Sequence, residues 1–214
     1  PEDHRLAYDL ISNETLWFVH HGLFDLTRSP AYDATWWDAW AAYRRVNERF
    51  ADAVVELSPE GAVVLVQDYH LTLLAPSVRA RRPDLSLVHF HHTPFAGPDG
   101  MRVLPPAARA ELLEHWRPAG PDTRVFASSL SSDAAALRRT ASSPDCDVAL
   151  RALDRAVGDR RLIVRVDRME LSKNIVRGFL AYDLLLADRP DLRGQVTFLA
   201  CCYPSREGVA AYGV

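Results

Sequence analysis

A continuous apolar run at residues 62–66, Ala-Val-Val-Leu-Val, constrains the fold of this chain more than any other feature. It follows an amphipathic segment over 35–57, whose apolar residues recur at steps of three and four, and the helix-breaking residues Pro59 and Gly61. An apolar run without alternation is typical of a parallel strand that is buried on both faces. The sequence therefore predicts a helix over 35–57 and a buried parallel strand over 62–67.

Helical and strand patterns alternate along the rest of the chain. The predicted elements are a helix over 71–82, a strand over 85–92, a weaker strand over 123–127, helices over 133–140 and 145–157, a strand over 161–166, a helix over 175–187 and a strand over 195–201. This alternation predicts an α/β fold whose ligands bind at the carboxyl ends of the strands. The Ser-rich residues 128–144 lack core-forming periodicity, and we place a domain change near residue 155.

The composition excludes several classes of protein. The 25 Lys and Arg residues against 28 Asp and Glu give a formal charge of −3, which argues against nucleic acid as a partner. The apolar runs fall far short of the roughly 18 residues of a membrane helix, and the N-terminal residues contain no apolar signal segment. Three cysteines without a disulfide pattern indicate a reducing, cytoplasmic location.

Polar residues follow two of the predicted strands. Asp68 comes directly after the first strand, where its carboxylate either binds substrate hydroxyls or caps the next helix. His89 and His91 share one face of the second strand, whereas His92 lies at its tip and is placed to meet a ligand. Because no further Cys or His has ligand spacing, we predict structural roles for His89 and His91 and no metal site.

Cationic residues follow the two later strands. Arg168 and Lys173 bracket a turn before a helix, which suits a diphosphate, although both could instead be solvated on a surface loop. No glycine-rich phosphate loop occurs in the sequence. Arg206 follows the last strand and either clamps a sugar phosphate or forms a surface ion pair.

Taken together, these residues resemble the trehalose-6-phosphate synthase family of retaining glycosyltransferases. The matching residues, in family order, are Tyr8, Asn13 to Trp17, Tyr43 to Asn47, Gln67 to His70, His92 to Phe95, Val166 to Lys173 and Tyr203 to Arg206. Each motif alone is weak, but the ordered set is specific, and residues 170–178 are most similar to actinobacterial members.

The resemblance implies a role for each matching position. It places the acceptor glucose 6-phosphate at Tyr8, Trp17, Asp68 and Arg206, the donor sugar at His92, and the donor diphosphate at Arg168 and Lys173. Asp68, His92, Arg168 and Lys173 would form the catalytic centre. Cations and helix N-termini would stabilise the leaving group, so the resemblance implies neither a metal nor another cofactor.

The resemblance also implies the GT-B architecture, with two Rossmann-like domains and parallel sheets. Residues 1–155 would be the N-terminal acceptor domain and residues 156–214 the start of the C-terminal nucleotide-sugar domain. Both domains would be incomplete in this chain. It would lack the family's first strand and glycine-rich loop, a stretch of several tens of residues near 114–118, and the donor ribose loop that follows the last predicted strand.

The resemblance implies glucose transfer from UDP- or GDP-glucose to glucose 6-phosphate, giving trehalose 6-phosphate with retention of configuration. Two alternatives stay open. One is a pseudo-glycosyltransferase that joins a nucleotide-activated cyclitol to an amino-cyclitol phosphate. The other is a non-catalytic module that binds sugar phosphates. The expected partners are a nucleotide sugar and a sugar phosphate, and self-association into a homo-oligomer is left open.

Overall fold

The computed structural model describes residues 2–23, 31–115 and 124–205. Their contacts divide the chain after Arg124 into two compact units, which we call unit 1 and unit 2. This division lies earlier than the domain change predicted near residue 155, since residues 134–157 group with the strands that follow them. The assignment of 1–155 and 156–214 to an acceptor and a nucleotide-sugar domain stays a prediction.

The described residues of unit 1 form two strands and a set of helices. In chain order its elements are α1 (Glu2–Arg5), a π-helix (Leu6–Leu16), α2 (Trp17–His20), α3 (Ala34–Leu57), β1 (Val63–Gln67), a 3-10 turn (Tyr69–Leu71), α4 (Leu74–Arg81), β2 (Ser86–Phe90), a 3-10 turn (Gly100–Val103) and α5 (Pro106–His115). The predicted helix over 35–57 and both predicted strands are confirmed. The π-helix was not predicted; within it the backbone N–H of Trp17 bonds to the carbonyl of Ser12, five residues back.

The long helix α3 forms because its sequence supplies both a cap and an apolar face. The Asp33 carboxylate accepts the backbone N–H of Trp36 at 2.9 Å, which satisfies one of the free donors of the first turn. Trp40 and Tyr43 follow at helical spacing and are fully buried. The helix ends before Ser58, whose extended backbone leads into the turn before β1.

Strands β1 and β2 pair in parallel, with Val63 opposite Ser86 and Gln67 opposite Phe90. One face of this sheet packs against α3 and α4 through a buried core of Ala51, Val66, Leu74, Val78 and Leu85. Truncation of a core side chain such as Leu74 to alanine should cost about 2–5 kcal/mol. The predicted burial on both faces is wrong, because Leu65 on the opposite face is 67% exposed.

The described residues of unit 2 form a second parallel pair of strands. Its elements are α6 (Ala134–Ala141), α7 (Pro144–Val157), β3 (Arg161–Arg168), a 3-10 turn (Leu171–Lys173), α8 (Ile175–Asp188), a 3-10 turn (Pro190–Leu192) and β4 (Val196–Tyr203). Arg161 pairs with Val196 and Arg168 with Tyr203. Helix α8 makes the crossover that two parallel strands require. The predicted helices and strands between residues 133 and 201 are thus confirmed.

The weaker strand predicted over 123–127 is wrong for its described part. Residues 124–127 have no regular structure and are exposed, and Val125 and Phe126 each keep 63% of their surface in contact with solvent. A strand needs a hydrogen-bonded neighbour, and β-forming residue types alone do not supply one. None of the described helices has both the length and the apolar composition for a membrane span.

Candidate active site

Asp68 lies at the carboxyl end of β1 in a strained backbone conformation. Its φ of 61° and ψ of 178° fall in a region that is otherwise almost restricted to glycine, at a cost of about 1–3 kcal/mol. The side chain makes no capping hydrogen bond to the turn that follows, so the helix-cap alternative is wrong. Its Oδ1 is buried and has no hydrogen-bond partner among the described residues. Strain and an unsatisfied carboxylate together indicate a functional side chain.

Hydrogen bonds from β2 hold Asp68 in this conformation. Its backbone N–H donates to the carbonyl of Phe90 at 2.7 Å. Its own carbonyl accepts from the ring Nε2 of His89 at 2.8 Å, which fixes the proton of that ring on Nε2. Burial lowers the pKa of His89 and favours the neutral ring. His89 is thus a satisfied structural histidine, as predicted, and its partner is the backbone of Asp68.

Helix α3 holds the turn that follows Asp68. The Tyr43 hydroxyl donates to the carbonyl of Tyr69 at 2.6 Å, and burial raises the pKa of Tyr43 to about 12. The Asn47 side chain donates to the carbonyl of His70 at 3.2 Å and accepts the backbone N–H of Leu73 at 3.0 Å. The sequence reasoning gave neither Tyr43 nor Asn47 a role, although both belong to a matching motif. Both residues could have been recognised as polar residues on the otherwise apolar, buried face of an amphipathic helix.

The two aromatic residues predicted at the acceptor site differ in exposure. Tyr8 is 46% exposed and stacks on His70 with ring centroids 5.5 Å apart, which places it beside the turn after Asp68. Trp17 is only 3% exposed, and its ring stacks on His21 at 4.1 Å. The Tyr8 ring also stacks on His4, with centroids 5.6 Å apart, so both Tyr8 and Trp17 have aromatic neighbours and their acceptor roles stay predictions.

His92 lies beside Gln67, just beyond the ends of β1 and β2. The side chain is exposed, and its Nε2 donates to the Gln67 Oε1 at 3.2 Å. The rings of His89 and His91 lie 4.4 Å apart on the other face, which confirms the predicted separation of the three histidines. The described residues include no group of three His, Cys, Asp or Glu side chains that could hold a metal ion.

Sequence reasoning missed His20, which is buried near these residues. Its Nδ1 accepts the backbone N–H of Ala96 at 3.0 Å, so the ring proton lies on Nε2. The ring packs against Tyr69 and Phe95 with centroid distances of 5.5 and 5.0 Å. Burial lowers the pKa of His20 to about 4, although the Asp68 carboxylate raises it. No spacing or motif distinguished His20 from its neighbour His21.

In unit 2 the two predicted cations meet at one carboxylate. Glu170 Oε1 lies 3.4 Å from Arg168 Nη2 and 3.6 Å from Lys173 Nζ. The Glu170 side chain is only 3% exposed, whereas Arg168 and Lys173 are 47% and 39% exposed. A buried carboxylate therefore draws together two cations, and each keeps a partly exposed surface within the described part of the chain, where an anion could bind. Glu170 was not predicted, and Arg206 lies outside the described residues.

The fold and these two clusters define an α/β protein with polar groups at the ends of parallel strands. The family model described as glycosyltransferase family 20 matches residues 1–117 and 115–213. The chain therefore belongs to glycosyltransferase family 20. Its two parallel sheets correspond to the GT-B fold of the solved structures that it resembles.

Three relatives illustrate the similarity. A trehalose-6-phosphate synthase of Mycobacterium ulcerans is 31% identical over 253 residues, which cover 99% of this chain and 49% of that protein. The crystal structure of a UDP-forming α,α-trehalose-phosphate synthase from Burkholderia xenovorans in complex with glucose 6-phosphate has a TM-score of 0.83 at 26% identity, over 99% of this chain and 53% of that one. The corresponding enzyme from Burkholderia vietnamiensis has a TM-score of 0.77 at 28% identity, over 99% and 51%. The chain thus spans about half the length of the relatives it matches.

The alignments agree with the shortening predicted near residues 114–118. The family model matches in two pieces that meet at residues 115–117. The alignment with the Mycobacterium ulcerans protein is 253 positions long, whereas this chain has 214 residues. The relative therefore has residues within the aligned region that this chain lacks.

Proposed function

We propose that this protein transfers glucose from UDP- or GDP-glucose to glucose 6-phosphate and forms trehalose 6-phosphate with retention of configuration. The observation that carries the proposal is the grouping of Asp68, Tyr8 and His92 around the carboxyl ends of β1 and β2. Carboxyl ends of parallel strands are where α/β enzymes bind their ligands. Membership of family 20 and the names of the relatives support this reaction.

The acceptor sugar ring would contact Tyr8 and Asp68 of unit 1. The partly exposed Tyr8 would contact the sugar ring, and the buried Oδ1 of Asp68 has no hydrogen-bond donor among the described residues, which a sugar hydroxyl would supply. His92 would contact the donor sugar near its reacting carbon, from the tip beyond β2. Arg206 would hold the acceptor phosphate, because its planar guanidinium can bind two phosphate oxygens at once.

The donor diphosphate would bind at Arg168 and Lys173 of unit 2. In the transfer, the bond between the glucose C1 and the diphosphate oxygen breaks, and a new bond forms between C1 and the acceptor hydroxyl oxygen. The acceptor proton passes to the leaving diphosphate oxygen on the same face of the sugar. Arg168 and Lys173 would stabilise the negative charge that grows on the leaving group, a contribution that requires no metal.

The test is a product assay with the full-length protein. UDP-glucose or GDP-glucose and glucose 6-phosphate are supplied together, and trehalose 6-phosphate and the nucleoside diphosphate are measured. Arg189→Ala is a matched control, because Arg189 pairs with Asp191 on the exposed surface of unit 2 and should leave turnover unchanged. Product from cyclitol substrates alone would favour the pseudo-glycosyltransferase. Binding of glucose 6-phosphate without any product would favour the non-catalytic module.

A further inference from the structure

The side chain of Arg165 connects β3 to the loop that carries Lys173. Its Nε donates to the Asp167 carboxylate at 2.8 Å, Nη2 donates to the backbone carbonyl of Lys173, and Nη1 donates to that of Asn174 at 3.5 Å. One guanidinium thus holds a strand carboxylate and two successive loop carbonyls. The five donors of an arginine can make such contacts in a fixed plane, which a lysine cannot.

Gly178 provides the space for this guanidinium. It lies within the first turns of α8, at a position where glycine is unfavourable relative to alanine. A methyl group built on Gly178 would overlap the Nη1 of Arg165. The Arg165 guanidinium therefore occupies the space that a side chain at position 178 would fill.

The hydrogen bonds from Arg165 fix a loop whose backbone reverses direction at Asn174. Asn174 adopts a left-handed conformation, with a φ of 52°, directly before α8. Because the carbonyls on both sides of this reversal bind Arg165, the direction in which Lys173 leaves the backbone is fixed. The Nζ of Lys173 then lies 3.6 Å from the Oε1 of the buried Glu170, the same oxygen that the Arg168 side chain contacts.

We propose that the contact between Arg165 and Gly178 positions Lys173 to bind the diphosphate of the donor. Arg165 is a positioning residue that acts through the backbone of Lys173, and Gly178 permits its placement. This inference rests on the proposed function, since it assumes that Lys173 holds the donor diphosphate.

The first experiment tests the contact without any substrate. Gly178→Ala should lower the thermal unfolding midpoint of the wild-type protein, because the new methyl group displaces Arg165. In an Arg165→Met background the same substitution should raise the midpoint by about 2–4 °C, because only the gain in helix propensity remains. An effect of the same sign in both backgrounds would overturn the proposed contact.

The second experiment tests the effect on the site. Binding of UDP and of GDP to the full-length protein is measured by calorimetry, with glucose 6-phosphate binding as a second readout. Arg165→Met and Gly178→Ala should each weaken nucleotide binding by about tenfold and leave glucose 6-phosphate binding unchanged. Arg165→Lys, which retains one donor group, should recover part of the loss.

Matched controls separate this inference from the proposed function. Arg189→Met removes a guanidinium that also pairs with an aspartate two residues later, but this side chain is exposed, so the variant should bind nucleotide like the wild type. Wild-type affinity in Arg165→Met would overturn the positioning role. A wild-type protein that binds neither UDP nor GDP would overturn the proposed function, and the sign of the Gly178→Ala effect would still decide whether the contact exists.

Discussion

Replacing Asp68 with glycine should stabilise the fold and abolish catalysis at the same time. Glycine adopts the backbone conformation of residue 68 without strain, which recovers about 1–3 kcal/mol. Removal of a buried carboxylate oxygen that has no partner among the described residues recovers about 1–3 kcal/mol more. The greater freedom of glycine in the unfolded chain costs about 0.5–1 kcal/mol. The expected net gain in unfolding free energy is about 1–5 kcal/mol.

Asp68→Asn is the matched variant for this experiment. It keeps a side chain of the same size in the same strained conformation but removes the negative charge. Its unfolding free energy should stay near that of the wild type, and its turnover should fall as far as that of Asp68→Gly. The pair of variants therefore separates the cost of the backbone from the chemistry of the carboxylate.

Urea titrations followed by tryptophan fluorescence give the unfolding free energies, and release of nucleoside diphosphate gives the turnover. A glycine variant that is less stable than the wild type would refute the assignment of strain to residue 68. An asparagine variant with full turnover would show that the carboxylate has no catalytic or binding role.

Three further predictions concern His20, Lys173 and Arg206. Burial lowers the pKa of His20 from 6.5 to about 4, so between these pH values the unfolded state binds a proton that the native state does not. The unfolding free energy should therefore fall by about 3 kcal/mol as the pH drops through this range. Urea titrations at each pH measure this fall, which should be smaller in His20→Phe. Lys173→Ala should weaken nucleoside diphosphate binding at least about tenfold in calorimetry, and unchanged affinity would contradict its assignment to the donor. Arg206→Ala should raise the KM for glucose 6-phosphate far more than that for the nucleotide sugar; undiminished preference for glucose 6-phosphate over glucose in steady-state kinetics would show that Arg206 does not hold the phosphate.

The secondary structure of this chain is largely predictable from its sequence, because its strands are short apolar runs between helices of clear periodicity. Residues 62–67 and 161–166 were recognised in this way, and β1 and β3 occupy them. Residues 123–127 carry similar residue types, but a strand also needs a neighbour, which local sequence does not reveal. The exposure of Leu65 was unpredictable for the same reason, since burial depends on which elements cover a face.

Candidate site residues can be chosen from the sequence, whereas the geometry of the site cannot be predicted from it. Asp68, His92, Arg168 and Lys173 could be chosen because they lie at or just beyond the ends of predicted strands. The backbone strain at Asp68 arises from hydrogen bonds made by β2, which no local pattern encodes. Glu170, His20 and Arg165 were missed for a related reason: the contacts of each depend on the folded arrangement of the chain around it.

The π-helix Leu6–Leu16 makes the spacing between Tyr8 and Trp17 depend on the number of residues in this segment. A π-helix accommodates one more residue in each hydrogen-bonded ring than an α-helix does. Deletion of a single residue between them would change the winding of part of the segment, and with it the angle between the rings on either side. Insertions and deletions in this segment would therefore rotate Tyr8 relative to His70 and disturb their stacking, even where every named side chain is retained.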